Sequence, residues 1–153
     1  YFHDLVTGRP PKINLQDEKY CQSFLRDAIM KNYIVSSHDV SDGGLAIALS
    51  ECCILSDMGA TIQLEEKDVR IDNLLFSEGG SRIIFSVKKE KELNFLDFVK
   101  VNNNNFGKNI YVKKIGFVSK ENFNISLHNE EICNLRVDEI TEKFNNSISS
   151  SFN

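Results

Sequence analysis

The chain has 153 residues, the size of a single domain, and this length is sufficient to bury a hydrophobic core. Hydrophobic residues account for 41% of the sequence and charged residues for 26%, which excludes the composition of an intrinsically disordered protein. The net charge of −4 at pH 7 disfavours a protein that coats nucleic acid, because such proteins usually present a basic face, and we expect no nucleic-acid partner.

Residues 1–14 are expected to form an extended connector from an upstream domain that this sequence does not include. Gly8-Arg9-Pro10-Pro11 lies in this segment, and proline is excluded from the interior of helices and of central strands. The sequence also starts at Tyr1 without an initiator methionine, which indicates a fragment of a longer polypeptide. We expect the domain itself to cover residues 15–148, and the Ser- and Asn-rich residues 149–153 to form a frayed tail.

The first half of the predicted domain contains two helices, each followed by further secondary structure. Apolar residues recur at helical spacing from Leu15 to Lys31, and Asn14 is the expected N-cap. The second helix is expected from Leu45 to about Asp57, with its inward side formed by Leu45, Leu49, Cys52 and Cys53. The strands of this half are predicted at Tyr33–Val35 and Ala60–Leu64.

The second half of the predicted domain begins with a turn or short helix at Asp72–Phe76 and a strand at Ile83–Val87. A helix over Glu90–Val101 is expected to end at a polar loop, Asn102–Asn105. Strands over Ile110–Val118 and Phe123–Leu127 are predicted to form a hairpin through Ser119–Asn122, before a last helix at Val137–Asn145. Because helices alternate with pairs of strands, the predicted fold class is α+β, a mixed β-sheet covered by helices.

The most informative segment is His38-Asp39-Val40-Ser41-Asp42-Gly43-Gly44-Leu45, between a predicted strand and the start of a helix. Free backbone N–H groups and the helix dipole favour anions there, and the glycines permit close approach of a ligand or of a neighbouring backbone. Two carboxylates would repel a bare phosphate, so we expect Asp39 and Asp42 to bind Mg²⁺ together with it. In the alternative, Ser41 or Asp42 is only an N-cap and His38 is a hydrogen-bonded wall residue.

A second glycine-containing segment, Ser77-Glu78-Gly79-Gly80-Ser81-Arg82, precedes a predicted strand. Glu78 can hydrogen-bond a ribose or an amide, or hold a metal-bound water, and Arg82 can bind a phosphate through two parallel hydrogen bonds. The alternative is a glycine turn in which Arg82 pairs with a nearby carboxylate. The cluster Ser36-Ser37-His38-Asp39 does not indicate a hydrolase triad, because neighbours along a strand point to opposite faces.

Together these segments resemble the large, synthetase component of the phosphoribosylformylglycinamidine synthase family. The resemblance rests on the stretch His38–Glu51, and it is supported, in the expected order, by Gly8–Leu15, Leu75–Arg82 and Ile115–Val118. It spans nearly the whole chain. In this family an N-terminal sheet domain and a C-terminal α/β domain occur as a pair, twice, and the chain resembles the second C-terminal domain, at the end of the polypeptide. The implied fold is like that of the C-terminal domain of aminoimidazole ribonucleotide synthetase.

The resemblance implies part of an ATP-dependent C–N ligase of de novo purine biosynthesis, inactive as an isolated fragment. The family reaction converts formylglycinamide ribonucleotide, ATP and glutamine-derived ammonia to formylglycinamidine ribonucleotide, ADP and phosphate. ATP and Mg²⁺ are the implied cofactors of the whole enzyme. The implied partners are the upstream domains of the same polypeptide, together with separate glutaminase and small accessory subunits. The expected nucleotide- and phosphate-binding residues are His38, Asp39, Ser41, Asp42, Gly43, Gly44, Glu78 and Arg82, with Asp39 and Asp42 as the Mg²⁺ ligands.

Two alternatives stay open from the sequence alone. One is a non-catalytic structural and interface domain with a pseudo-symmetric nucleotide site. The other is a related ATP-dependent enzyme that handles thiamine phosphate, selenophosphate or hydrogenase maturation, although Gly8–Pro11 and Ser41–Leu45 favour the purine enzyme. The sequence shows no basic and apolar leader, no stretch of roughly 18 apolar residues and no zinc-type cysteine spacing. We therefore expect a cytoplasmic protein with no membrane partner.

Overall fold

A computed structural model of the chain describes residues 12–106 and 110–150, which form helices and strands in alternation. The helices are α1 (Leu15–Met30), α2 (Gly44–Ser56), α3 (Ile71–Phe76), α4 (Glu92–Phe106) and α5 (Val137–Ser150). The strands are β1 (Ile34–Asp39), β2 (Ala60–Leu64), β3 (Ile83–Val87), β4 (Gly116–Val118), β5 (Asn122–Leu127) and β6 (Glu130–Arg136). A 3₁₀ turn, Lys89–Lys91, leads into α4. No helix in these residues is long and apolar enough to cross a membrane.

The strands in the described residues form two separate sheets. Strands β1 and β3 make a two-stranded antiparallel sheet, in which His38 lies opposite Ile84 and Asp39 opposite Ile83. The other four strands lie in the order β4-β2-β5-β6, with β2 parallel to β5 and both outer pairs antiparallel. The larger sheet is therefore mixed, and the predicted α+β class with a mixed sheet and helices is confirmed.

The larger of two hydrophobic cores lies on one face of the four-stranded sheet. Alternate residues of β2 and β5 point to this face, as the two-residue period of a strand requires. Leu64 and Ile125, each only 2% exposed, are the largest fully buried side chains. Residues of α2, α3 and α5 cover them, among them Leu49, Cys53, Leu75, Val137 and Ile140.

The second core is aromatic and lies between α1, α4 and the two-stranded sheet. Phe24 of α1 packs on Phe98 of α4 with ring centroids 5.3 Å apart, and Phe85 of β3 meets Phe95 of α4 at the same centroid distance. Tyr33 completes the ring cluster. This core fixes the strand pair β1–β3 against α1, and the loops at the end of that pair contain both glycine segments.

The start of α1 agrees with the prediction. The Asn14 side-chain oxygen accepts the backbone N–H groups of Gln16 at 3.0 Å and Asp17 at 3.4 Å, so Asn14 is the N-cap. The predicted connector and tail fall largely on residues 1–11 and 151–153, which lie outside the described residues. Residues 149 and 150 belong to α5, which continues past its predicted end at Asn145.

The predicted polar loop Asn102–Asn105 is wrong, because α4 continues through it to Phe106. Asn102 is buried, its amide donates to the Phe98 carbonyl at 2.9 Å, and its own carbonyl accepts the Tyr20 hydroxyl of α1 at 3.0 Å. Asn103 exchanges two hydrogen bonds with the backbone of Ile110. Asn102 thus contacts α1 through its backbone carbonyl, and the Asn103 side chain holds the backbone of Ile110, contacts that composition alone did not indicate.

The predicted hairpin is also wrong. Strands β4 and β5 do not pair with each other, since β2 lies between them and pairs with both. Their connection crosses the start of β2, where Gly59 N–H donates to the Lys120 carbonyl at 3.1 Å and Ser119 N–H donates to the Gly59 carbonyl at 2.8 Å. Residues 110–115 are not a regular strand, and β6, which the sequence analysis missed, pairs with β5.

Candidate functional site

The pairing of β1 with β3 brings the two glycine segments to the same end of the small sheet. Antiparallel strands place the end of one beside the start of the other, and Asp39 at the end of β1 faces Ile83 at the start of β3. The pairing extends one step into the loops, because Val40 N–H donates to the Arg82 carbonyl at 2.9 Å. The loop Val40–Gly43 and the loop Ser77–Arg82 are therefore neighbours in space.

The start of α2 takes its cap from the other loop. Gly43 is the N-cap residue in a left-handed conformation (φ 77°), and its N–H donates to Glu78 Oε1 at 3.0 Å. No side chain of the Val40–Gly43 loop caps the helix, so the alternative role of Ser41 or Asp42 as N-cap is wrong. A carboxylate at this position also meets the positive end of the helix dipole.

Gly44 allows α2 to begin in contact with the end of α3. Its φ of 72° lies in the left-handed region, and a Cβ there would come within 2.7–2.9 Å of the backbone of Leu75 and Phe76. We expected the glycines to permit close approach of a ligand or of a neighbouring backbone, and at Gly44 the structure shows a neighbouring backbone. The contact fixes α2 beside the second loop, which follows α3 directly.

His38 has oxygen neighbours at both ring nitrogens. Nδ1 lies 2.7 Å from the Asp39 carbonyl and Nε2 lies 3.5 Å from Glu51 Oε2 of α2, and the side chain is 23% exposed. These contacts match the alternative to ligand binding given above, in which His38 is a hydrogen-bonded wall residue. Glu51 is a partner that sequence reasoning missed, although its place one helix further along the same motif was visible.

Arg82 is turned back onto its own loop. Its Nη1 donates to the Ser77 carbonyl at 2.9 Å, and within the described part of the chain Arg82 does not pair with a carboxylate as the alternative predicted. A phosphate that binds the Arg82 guanidinium would share that group with the Ser77 carbonyl. Arg82, the last residue of the loop Ser77–Arg82, is therefore hydrogen-bonded to its first residue.

Asp39, at the end of β1, and Asp42, in the loop Val40–Gly43, are exposed, and their carboxylates offer hard oxygen ligands of the kind that Mg²⁺ prefers. Within residues 12–106 and 110–150, no group of three or more His, Cys, Asp or Glu side chains is placed to hold a metal ion. Mg²⁺ commonly takes only one or two protein carboxylates and completes its shell with water and phosphate oxygens. The donor chemistry fits such a phosphate-associated ion, and the assignment stays a prediction.

Helix α1 holds the second loop through Glu18, which sequence reasoning did not select. The Ser81 hydroxyl donates to Glu18 Oε2, and this hydrogen bond, with a second from Gln22, holds the pKa of Glu18 below its usual value. Ser81 has a φ of 59°, in the left-handed region that disfavours a residue with a Cβ. Because the two residues are 63 positions apart, no local pattern could have indicated the contact.

A cavity of about 670 Å³ lies beside this loop, between α1, β3 and residues 110–115. Its walls are mostly apolar, with Phe24, Leu25 and Phe85 among them, and Ser81 and Arg82 also line it. The ion pair between Glu66 and Lys113, at 2.7 Å, forms part of its wall. The cavity therefore adjoins the second glycine loop.

Comparison with known proteins identifies strong sequence likeness over the whole chain. A family model described as "AIR synthase related protein, C-terminal domain" matches residues 2–120. The chain is 77% identical over 152 residues to the phosphoribosylformylglycinamidine synthase subunit PurL of Prochlorococcus marinus strain MIT 9515, covering 99% of this chain and 20% of the relative. It is 74% identical, with the same coverage, to PurL of P. marinus subsp. pastoris strain CCMP1986 / NIES-2087 / MED4. The chain thus spans about a fifth of the length of these curated relatives.

Solved structures share the fold at low sequence identity. The chain superposes with a TM-score of 0.68 on the structure titled "T. maritima PurL complexed with FGAR", at 18% identity, covering 81% of this chain and 21% of that one. The structure titled "T. maritima PurL complexed with ATP" gives a TM-score of 0.68 at 17% identity, covering 80% and 21%. The structure titled "Structure of PurLQS from Thermotoga maritima" gives 0.68 at 17% identity, covering 81% and 21%. At this identity the likeness establishes the fold.

Proposed function

The chain belongs to the AIR synthase related protein family, whose C-terminal domain model it matches, and we propose that it is part of a phosphoribosylformylglycinamidine synthase. The observation that carries the proposal is the 77% identity over 99% of the chain with a relative named as the PurL subunit of that enzyme. The whole enzyme would be an ATP-dependent C–N ligase of purine biosynthesis. The resemblance of His38–Glu51 to the synthase motif points to the same activity.

In the proposed reaction, formylglycinamide ribonucleotide, ATP and glutamine-derived ammonia give formylglycinamidine ribonucleotide, ADP and phosphate. The amide oxygen of the substrate leaves in the phosphate, and the ammonia nitrogen takes its place. Structures of Thermotoga relatives titled as complexes with ATP, ADP and AMPPCP support a nucleotide as the ligand. The isolated fragment would lack the residues upstream of it and be inactive.

Within that enzyme we assign the paired glycine loops to one wall of a nucleotide site. The exposed carboxylates Asp39 and Asp42 would hold Mg²⁺, which would neutralise phosphate charge, and Ser41 would offer a hydroxyl beside them. His38, Glu78 and the two glycines would shape the wall. Arg82 would face phosphate oxygens with the part of its guanidinium that does not contact Ser77.

The proposed partners are the upstream domains of the same polypeptide, since the chain covers only 20% of its relatives. The relative described as PurLQS supports separate subunits as further partners, which we propose to be a glutaminase that supplies ammonia and a small accessory subunit. We propose the cytoplasm as the location, where this pathway would find its nucleotide substrates.

The decisive test is Asp42→Ala in the full-length synthase that contains this segment. Asp42 is exposed and does not cap α2, so its loss should leave the free energy of unfolding within about 0.5 kcal/mol of the parent. Nucleotide occupancy and turnover should fall at least about tenfold, which corresponds to one lost charge-assisted contact. Asp27→Ala removes the same charge from an exposed position of α1 and serves as the control. Full activity and nucleotide content in Asp42→Ala would refute the site.

A second candidate is a structural and interface domain whose loops only build the fold. The observation that favours it is that Glu78, Arg82, His38 and Gly44 all make contacts inside the domain. On this candidate, Asp42→Ala would leave both turnover and nucleotide binding unchanged. Glu78→Ala would then act on stability alone, because it removes the partner of the Gly43 N–H.

A further inference from the structure

We propose that Glu18 is a positioning residue for nucleotide binding, which acts from α1 by fixing the conformation of the loop Ser77–Arg82. The inference rests on the proposed function, because it assigns a new residue to the same site. Glu18 lies outside both glycine segments. Its side chain makes hydrogen bonds with Ser81 and Gln22.

Both carboxylate oxygens of Glu18 are engaged. Oε2 accepts the Ser81 hydroxyl, and Oε1 accepts the Gln22 side-chain amide at 3.0 Å, one helical turn further along α1. Cys21 adds a weak contact, with its Sγ 3.9 Å from the Ser81 carbonyl. The carboxylate is therefore held in place by its own helix while it holds Ser81.

The middle of the loop between α3 and β3 has few neighbours among residues 12–106 and 110–150. Within that part of the chain, a Cβ built on Gly79 would meet no heavy atom within 4 Å, and one built on Gly80 would meet Glu18 Oε2 alone, at 3.5 Å. Ser81 itself has a φ of 59°, which a free serine rarely adopts. The hydrogen bond that Ser81 donates to Glu18 thus favours the left-handed conformation at the point where the loop turns into β3.

The position of Ser81 affects Arg82 and Glu78, the two residues of this loop that we assign to the candidate site. Arg82 follows directly, its carbonyl accepts the Val40 N–H at 2.9 Å, and its guanidinium donates to the Ser77 carbonyl at 2.9 Å. Glu78, on the same loop, accepts the Gly43 N–H at 3.0 Å and so sets the start of α2. A shift at Ser81 would displace Arg82 and Glu78 together, and with them the first glycine loop.

The test is made in the full-length synthase and measures the dissociation constant for ATP and the steady-state KM and kcat. Glu18→Ala should raise the dissociation constant and KM for ATP about tenfold and change kcat less, because the site is loosened and no reacting group is lost. Glu18→Gln should restore affinity to within about twofold, since its amide oxygen can accept the Ser81 hydroxyl while Gln22 turns its own amide over. Asp27→Ala, on an exposed position of the same helix, should leave all three values unchanged.

Ser81→Ala provides an independent variant in case Glu18→Ala does not fold, because it removes the hydroxyl that Glu18 accepts and keeps the Cβ that disfavours a positive φ. It should raise the ATP dissociation constant as Glu18→Ala does, and the double variant should be no worse than either alone. The inference is overturned if Glu18→Ala or Ser81→Ala binds ATP like the parent, or if Glu18→Gln is as impaired as Glu18→Ala. If the unmodified synthase neither binds ATP nor turns over, the proposed function itself fails, and the inference falls with it.

Discussion

Replacing Gly44 by alanine should destabilise the chain by about 3 kcal/mol or more. The added Cβ would lie 2.7–2.9 Å from backbone atoms of Leu75 and Phe76, which cannot move aside as the end of a flexible side chain can. The φ of 72° adds the cost of a left-handed conformation. Urea unfolding of the 153-residue chain, followed by circular dichroism, measures the difference in the free energy of unfolding.

Gly79→Ala is the matched control at the residue scale, because a Cβ at that glycine meets no atom of the described residues within 4 Å. It should change the free energy of unfolding by less than about 1 kcal/mol. Equal losses in the two variants would mean that the contact of α2 with the end of α3 does not depend on Gly44.

The sequence located the residues of the candidate site but not their partners. Both glycine segments could be recognised locally, since glycine pairs between apolar stretches indicate special backbone conformations. The bond from Gly43 to Glu78 joins residues 35 positions apart and depends on the register of β1 with β3. The alternative in which Ser41 or Asp42 caps α2 was therefore wrong, and Glu18 was not considered.

At the scale of elements, the ion pair between Glu66 and Lys113 in the cavity wall should make the free energy of unfolding depend on pH. Burial raises the pKa of Glu66, but hydrogen bonds from Lys113 and from backbone N–H groups outweigh it and hold the pKa below the usual 4.5. A carboxyl with a lowered folded pKa stabilises the fold above its unfolded pKa and loses that contribution as pH falls through the folded value. The hydrogen bond that Lys113 donates to Glu66 raises the pKa of Lys113 above its usual 10.5. The pair therefore contributes fully between pH 4.5 and pH 10.5.

Glu66→Gln should lower the free energy of unfolding by about 1 kcal/mol at pH 7, with the difference from the parent vanishing as pH falls below 4.5. Thermal unfolding across this pH range measures the effect. Glu65→Gln, at the exposed neighbouring position, should leave the profile nearly parallel to that of the parent. A parent profile that stays flat below pH 4.5 would contradict the pairing.

Elements with a strong local signal were predicted well, and pairings between distant elements were not. The period of apolar residues fixed α1, and the apolar stretches of β2 and β3 gave their bounds as observed. The prediction of a hairpin was wrong because β2 lies between β4 and β5, an arrangement that no local pattern shows. Strand β6 was missed because most of its side chains are exposed, so its apolar pattern is weak.

At the scale of the whole molecule, the larger core extends beyond the residues that the family model matches. The match ends at residue 120, whereas Phe123, Ile125, Val137 and Ile140 are all buried in the same core as β2 and α2. Strand β5 is an interior strand, paired with β2 on one side and β6 on the other. This arrangement supports the proposal that the domain runs to about residue 148, and we expect the last part of the chain to be necessary for folding.

A truncation after Lys120 should therefore abolish the cooperative unfolding transition of the chain. It removes β5, β6 and α5, leaves β2 without its parallel neighbour and exposes the buried face that Leu64 shares with Leu49 and Leu75. The loss of near-ultraviolet circular dichroism together with a broad thermal transition would report a molecule without fixed packing. A truncation after Ser147 is the matched control, because it keeps Val137 and Ile140 of α5 in place and should retain the sharp transition. If the chain that ends at Lys120 still unfolds cooperatively with the parent midpoint, then the last strands and α5 are an addition to a complete domain, and the unit of folding ends where the family match does.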